Sequence, residues 1–218
     1  MHTPIMIKLG GSLIHDKYGE NLRKIGNIIH QFSDKHPSLI VPGGGPFADT
    51  VRNYGQQLKL SEETCHFMAL SAMEQYAFLL KEFIPNSTLT DLSNTESPIK
   101  ISHPAKPQIL LCSRFLSKIT STVLPRSWAV TSDSIAAYLA KRLNIPLLVI
   151  LKSTDISSSL KEPDVDNFFQ QLLPIETNVW FINGSYPERL YQLLQSGVTT
   201  GINIPANSLV ANTLNRDS

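Results

Sequence analysis

Ile5-Met6-Ile7-Lys8-Leu9-Gly10-Gly11-Ser12 and Leu39-Ile40-Val41-Pro42-Gly43-Gly44-Gly45-Pro46-Phe47-Ala48-Asp49 are two short apolar runs, each closed by glycines. Each run has the length of a buried strand, and a helical pattern follows each. Glycine carries no Cβ, so backbone N–H groups at such turns can approach an anion closely. A helix N-terminus just beyond adds partial positive charge. Two such turns at the ends of two strands predict a site that grips two anionic groups at once. Lys8, beside the first turn, is placed to neutralise charge between them. The chemistry this predicts is movement of a phosphoryl group from one oxyanion to another.

Outward from these runs, strands and helices alternate. Strands are predicted at 4–9, 38–41, 108–112, 128–131, 147–151, 178–182 and 202–204, and helices at 19–35, 46–57, 61–83, 134–143, 165–173 and 187–196. In the first helix Leu22, Ile25, Ile28, Ile29 and Phe32 recur at helical spacing. Ser61 followed by Glu62 and Glu63 is a helix start, and so is Thr131-Ser132-Asp133. Residues 85–107, rich in Pro, Ser, Thr and Asn, read as loop with an edge-strand piece at 99–101, and 113–127 read as irregular. The alternation predicts an α/β fold, a three-layer αβα sandwich around a mostly parallel sheet. Ligands of such sheets bind at the carboxyl ends of strands, where both glycine turns and Thr131-Ser132-Asp133 are expected.

With 218 residues, 42% hydrophobic, the chain is long enough for one large α/β domain or two lobes sharing a sheet. A formal net charge of +1 argues against a broad basic surface for nucleic acid. Cys65 and Cys112 fit no CxxC pattern and read as free buried thiols. There is no charged leader ahead of a long apolar segment, and no apolar run nears the roughly 20 residues of a membrane span. A soluble, cytoplasmic protein is expected. The six histidines lack metal-ligand spacing, so no metal site of protein ligands is expected.

Several motifs admit more than one reading. No GxxxxGK[ST] phosphate loop is present. Gly43-Gly44-Gly45-Pro46-Phe47-Ala48 satisfies the GxGxxA dinucleotide pattern. That pattern also wants an acid at a strand end about 20 residues on, whereas Glu62 and Glu63 open a helix. Pro46 suits a tight anion turn at a helix start equally well, and a purely structural turn is the third reading. Lys8 in an apolar strand is costly unless an anion meets it, or it snorkels to water. Asp133 either orients Lys8 and a second lysine or caps a helix. Lys152, ending the most apolar strand, is that second lysine or a solvated strand end.

Together the pieces resemble the amino acid kinase superfamily. The matching stretches are Ile7 to Ser12, Val41 to Gly45, Thr131-Ser132-Asp133-Ser134-Ile135-Ala136-Ala137, Leu151-Lys152-Ser153-Thr154-Asp155, Phe181-Ile182-Asn183-Gly184 and Gly201-Ile202-Asn203-Ile204, in family order over about residues 5–205. The resemblance implies transfer of the γ-phosphoryl group of ATP, with Mg2+, to a carboxylate, carbamate or phosphate. It implies an acceptor half, 1–145, and a nucleotide half, 146–218, of one continuous sheet. Lys8 would stabilise the transferring group and Asp133 would organise Lys8 and Lys152. Gly10, Gly11 and Ser12 would contact the nucleotide's phosphates, while Lys152, Ser153, Thr154, Asp155 and Gly184 face the nucleotide. Gly43, Gly44, Gly45, Asp49, Arg52 and Ser132 would hold the acceptor. The sequence departs from the family after Asp155: Ile156-Ser157-Ser158-Ser159 replaces an Asp-Gly-Val-Tyr-like continuation, and Glu162-Pro163 stands for the acid–proline step. This bears on how adenine is held.

The second glycine turn with Arg52, together with His66-Phe67-Met68-Ala69-Leu70, Met73-Glu74-Gln75-Tyr76 and Pro125-Arg126-Ser127-Trp128, resembles one branch of that family. The branch is the kinases of methanofuran-type cofactor synthesis, whose acceptor is an aminomethyl-furanyl-methyl phosphate. Such an acceptor would fit Arg52 or Arg126 on its phosphate and Phe47, Phe67, Tyr76 or Trp128 against its furan ring. Asp49 or Glu74 would hold the ammonium. Two alternatives stand beside it: a uridylate-type kinase, from Lys152-Ser153-Thr154, and a nucleotide-binding regulatory or storage protein without turnover, from the altered 155–163 loop. Isopentenyl phosphate kinases of the superfamily carry a histidine soon after the glycine-rich turn; Asp49 lies in that neighbourhood here, which argues against that reading. The helix at 61–83 is apolar around much of its circumference, which predicts a homo-oligomer packed through it.

Overall fold

The computed structural model describes residues 3–92, 106–119, 122–157, 165–166, 168–173 and 175–207. In chain order the elements are β1 (Ile5–Leu9), a 3-10 segment (Gly11–Gly19), α1 (Glu20–Gln31), β2 (Ser38–Pro42), α2 (Gly45–Leu58) and α3 (Glu62–Phe83). Then come β3 (Thr88–Thr90), β4 (Gln108–Leu110), α4 (Cys112–Leu116), α5 (Ser132–Arg142), β5 (Leu147–Lys152), α6 (Phe169–Leu172), β6 (Asn178–Asn183), α7 (Pro187–Ser196) and β7 (Ile202–Ile204). The strands form one sheet in the order β3-β4-β2-β1-β5-β6-β7. All pair in parallel except β7, which is antiparallel to β6. Helices cover both faces, giving the three-layer α/β sandwich.

The pleat decides which side chains meet. Ile5, Ile7 and Leu9 face a layer built from α1, α7 and the C-terminal half of α3, with Leu22, Ile25, Leu190 and Tyr76. Met6, Leu39, Val41, Leu148 and Ile150 face the other layer, with Ile135 and Leu139 of α5 and Phe169 of α6. Lys8 shares the parity of Met6, and Lys152 that of Ile150. A period of two therefore sends both lysines toward the α5 layer. Each fully buried aliphatic side chain contributes about 1.5–3 kcal/mol to this packing, which holds the two strand ends rigidly beside each other.

The expected strand at 128–131 is not formed; the segment is turn leading into α5. β1 is already flanked by β2 and β5 in register, so the sheet has no edge for it beside β1. Thr131 is extended (φ −103, ψ 179), but its N–H goes to the Asp166 carboxylate rather than to a strand. Thr131-Ser132-Asp133 thus opens a helix without following a strand. The strand expected at 108–112 ends at Leu110, and α4 runs from Cys112 into the stretch read as irregular because it buries Cys112, Phe115 and Leu116. The edge strand is β3, and the piece expected at 99–101 lies outside the described residues, as does Glu162-Pro163. The first helix starts behind a 3-10 segment with Lys17 and Tyr18 in the left-handed region (φ 45 and 53), and it ends at Gln31 rather than 35 because Phe32 leaves helical geometry (φ −95, ψ 3) and a turn follows.

The apolar circumference of α3 has an explanation within the chain. Leu70 and Met73 serve one core and Tyr76, Ala77 and Leu80 the other, while Cys65 and Ala72 pack with Val51 of α2. Met68 and Phe78 remain exposed, 37% and 57%. Both cysteines are free and buried. Among the described residues no helix is long and apolar enough to cross a membrane.

Candidate active site

The two glycine turns interlock, backbone on backbone. Gly10 donates its N–H to the Leu151 carbonyl (2.9 Å) and Gly43 donates to the Leu9 carbonyl (2.8 Å), extending the ladder past the strands. A Cβ on Gly11 would lie 2.0 Å from the Gly45 nitrogen, and one on Gly43 2.5 Å from the Gly11 nitrogen. Glycine is thus required there by turn-on-turn packing. The buried Tyr76 donates its hydroxyl to the Gly10 carbonyl (3.3 Å) from beneath. Its phenol belongs to the scaffold of the first turn, not to an acceptor pocket.

Asp133 is the second residue of α5, and its N–H is capped by the Thr131 hydroxyl (3.2 Å). Its Oδ1 lies 2.8 Å from the Lys8 ammonium in an ion pair. Its Oδ2 accepts a hydrogen bond from the Lys152 ammonium. Lys8 and Asp133 are 5% and 3% exposed. Two ammonium groups therefore share one buried carboxylate, an arrangement that costs free energy unless an anion completes it. Burial pushes the Asp133 carboxyl up, but Lys8 and Lys152 outweigh it and hold the group below the usual carboxylate range. Burial pulls the Lys8 ammonium down; Asp133 opposes this, Lys152 adds to it, and the net shift is downward.

The lowered Lys8 makes a pH prediction with opposite signs for turnover and for stability. Between its folded value and the ordinary lysine value of about 10.4, the folded protein binds fewer protons than the unfolded chain, so this group stabilises the fold as pH rises. The charge on Lys8 is lost over the same window. The expected result is an alkaline fall in kcat that begins below the ordinary lysine range, while circular dichroism melts show no parallel unfolding. A kcat that stays level through that range would remove the prediction.

One cavity, about 240 Å³, lies on the side of the glycine turns. Of the expected acceptor residues, Gly44, Gly45, Asp49, Arg52 and Ser132 line it, with Trp128. Gly43 is not among its lining residues and instead ties the turns together. Gly11 and Ser12, expected on the nucleotide side, also line this cavity. His15 and His66 do so too. Burial first, and Arg126 second, lower the His66 imidazole, which keeps it neutral near pH 7. Arg52 pairs with Asp49 at 2.6 Å and lies over the Trp128 ring at 4.8 Å.

Other candidates point elsewhere. Arg126 pairs with Glu63 (2.6 Å) and covers Phe67. Glu74 accepts from the Ser113 N–H and hydroxyl (3.0 and 2.6 Å), anchoring α4. Phe47 and Phe67 pack on core clusters.

A second cavity lies across Lys152, lined by Lys152, Thr154, Asp155, Ile156, Asn183 and Gly201, among others. Asp155 is held by Arg189 (2.5 Å) and Asn183 (3.1 Å). Ser153 joins the two sides: its hydroxyl accepts from Ser12 (2.9 Å) and its carbonyl from Ser185 (3.0 Å). Gly184 lines neither cavity. A Cβ there would meet a Leu13 methyl at 2.8 Å, so Gly184 packs closely under the first turn. Among the described residues no group of three or more His, Cys, Asp or Glu could hold a metal ion.

Sequence reasoning missed Asp166. Its two oxygens accept from the Thr131 N–H (3.0 Å) and hydroxyl (2.5 Å), the Ser134 hydroxyl, and the Phe168 and Phe169 N–H groups (3.0 and 3.1 Å). The available signal was a helix-start acid: Asp166 stands ahead of Phe168 and Phe169 as a capping residue does. Nothing in the sequence showed that it also reaches Thr131.

Comparison with known proteins gives the family and the fold. A family model, the amino acid kinase family, matches residues 3–164. The chain is 30% identical over 216 residues to the [5-(aminomethyl)furan-3-yl]methyl phosphate kinase of Methanocaldococcus jannaschii, covering 87% of this chain and 92% of that one. It is 26% identical over 153 residues to a uridylate kinase of Methanosarcina barkeri, covering 69% and 60%. In fold it is similar to the uridylate kinase of Archaeoglobus fulgidus (TM-score 0.64, 16% identity, 88% of this chain and 95% of that one). It is likewise similar to the UMP kinase of Ureaplasma parvum (TM-score 0.67, 14% identity, 93% and 99%).

Proposed function

This chain belongs to the amino acid kinase family, and from that premise we propose that it phosphorylates a small phosphate monoester bearing a ring and an amine. It is an ATP-dependent phosphotransferase acting on a small molecule. The acceptor we propose is [5-(aminomethyl)furan-3-yl]methyl phosphate, the substrate in the name of the M. jannaschii relative. The γ-phosphoryl group leaves ADP and forms a new P–O bond to an acceptor phosphate oxygen, giving a diphosphate. The observation that carries the reading is the pair of lysines on one buried carboxylate, with Lys152 lining one cavity and Ser132, next to Asp133, lining the other.

In this reading residues 1–145 form the acceptor half and 146–218 the nucleotide half, with the seam at β1 and β5. Lys8 and Lys152 offset charge on the transferring group, and Asp133 fixes both. Gly10, Gly11 and Ser12 stand at the phosphates, and Thr154 and Asp155 on the nucleotide side. Gly44, Gly45 and Ser132 take the acceptor phosphate with Arg52, Asp49 takes the ammonium, and Trp128 lies against the ring. A zwitterionic acceptor replaces the exposed Asp49–Arg52 pair by two new pairs, and an exposed pair of this kind is worth only about 0–1 kcal/mol to break. Mg2+ would enter on the ATP phosphates, where it neutralises charge, rather than in a protein cage.

The test is kcat/KM with ATP for three acceptors: the furanyl phosphate, its amine-free analogue and UMP. Preference for the first by about tenfold or more is expected, and Asp49→Asn should raise KM for the amine acceptor more than for the analogue. Efficient use of UMP with no turnover of the furanyl phosphate would make this a uridylate-type enzyme.

The protein is proposed to be a homo-oligomer packed through 61–83, supported by exposed Met68 and Phe78 on α3 and by Tyr54 and Leu58 on α2. Light scattering should report more than one chain at micromolar concentration; a monomer would contradict this.

A further inference from the structure

Asp166 is 8% exposed and bonded at both oxygens. One oxygen holds the N–H and hydroxyl of Thr131, and the other holds the Ser134 hydroxyl and the N–H groups opening α6. Thr131 and Ser134 bracket Asp133, and Thr131 also caps the Asp133 N–H. We propose that Asp166 is a positioning residue, clamping the first turn of α5 to the chain entering α6 so that Asp133 holds Lys8 and Lys152 in register. The inference rests on the catalytic reading of that cluster.

The clamp spans both halves of the fold. Asp133 sits at the start of the last helix of the acceptor half, whereas Asp166 comes after β5. On the Asp166 side, Phe169 of α6 stacks edge-on against Phe181 (5.4 Å), and Phe181 lines the second cavity. The α5 terminus is therefore tied to an element seated on the nucleotide-side wall. A misplacement of about 1 Å in a reacting group can lower turnover about 100-fold. An asparagine cannot replace Asp166, because its amide has one acceptor oxygen. Its NH2 group would face backbone N–H groups, which can only donate.

The experiment measures kcat and both KM values for Asp166→Asn, Thr131→Val, Thr131→Ser and the double variant Asp166→Asn/Thr131→Val, each below its melting temperature. Expected is a kcat about 10- to 100-fold lower in Asp166→Asn, with both KM values within about threefold. Thr131→Val should fall in the same direction, Thr131→Ser should recover most of that loss, and the double variant should lose much less than the product of the singles. If Asp166→Asn does not fold, the two Thr131 variants decide. An unchanged kcat per folded molecule in Asp166→Asn and Thr131→Val, with only the melting temperature lowered, would overturn the inference. Asp133→Asn in the same assay separates the two ideas. If it loses turnover while Asp166→Asn does not, positioning alone is wrong; if it keeps turnover, the catalytic reading is wrong.

Discussion

Lys8→Ala is expected to lower kcat by about 10²–10³-fold while the protein stays folded, the loss seen when one charge-stabilising donor is removed from a dry site. Lys8 is buried on the α5 face of β1, 2.8 Å from Asp133. Removing it leaves Asp133 paired with Lys152 alone, so the carboxylate is not orphaned and the fold survives. The group lost is one of the two ammonium groups that share the Asp133 carboxylate. The check is steady-state turnover with a melting curve on the same sample. A folded Lys8→Ala protein with near-native kcat would show that Lys8 only fills the strand.

Asp133→Asn is expected to affect turnover and stability together, for a different reason. The amide keeps the shape but removes the negative charge between two ammonium groups, one of them almost fully buried. Breaking a buried pair by removing one partner costs about 3–5 kcal/mol; the partial exposure of Lys152 places the expected loss at about 3 kcal/mol or less. On the folded enzyme kcat should fall about 100-fold, with KM for ATP little changed. The alkaline limb of kcat should move to lower pH, because Asp133 is the group that resists loss of the Lys8 proton. Activity that simply follows the folded fraction, with the limb unmoved, would make Asp133 a helix cap and nothing more.

The sheet was largely legible because its strands are short apolar runs ended by glycine or by a charged residue, as in Leu9-Gly10 and Leu151-Lys152. The cluster was legible for the same reason, since a lysine inside an apolar run is costly and stands out. What pattern could not show was which partners were already taken. Arg126 and Glu74 looked available for substrate, yet each has a protein partner distant in sequence, Glu63 and Ser113. Tyr76 reads as an aromatic near the site but lies under the first turn. Trp128 to Val130 has strand-like residues, but no sheet edge exists beside β1 to receive them. The glycines were read as openings for an anion, and Gly11, Gly43 and Gly45 prove to be required by contact with one another. Asp166 was hidden because its role depends on a contact 35 residues away in sequence.

The most direct test of the proposed reaction is a ³¹P NMR time course of the purified protein with Mg-ATP and [5-(aminomethyl)furan-3-yl]methyl phosphate. The expected result is loss of the acceptor's monoester signal, growth of a coupled pair of diphosphate signals and matching formation of ADP, all absent with Lys8→Ala. An unchanged monoester signal in the presence of folded protein, or ADP formed with free phosphate in place of the diphosphate, would contradict transfer to this acceptor.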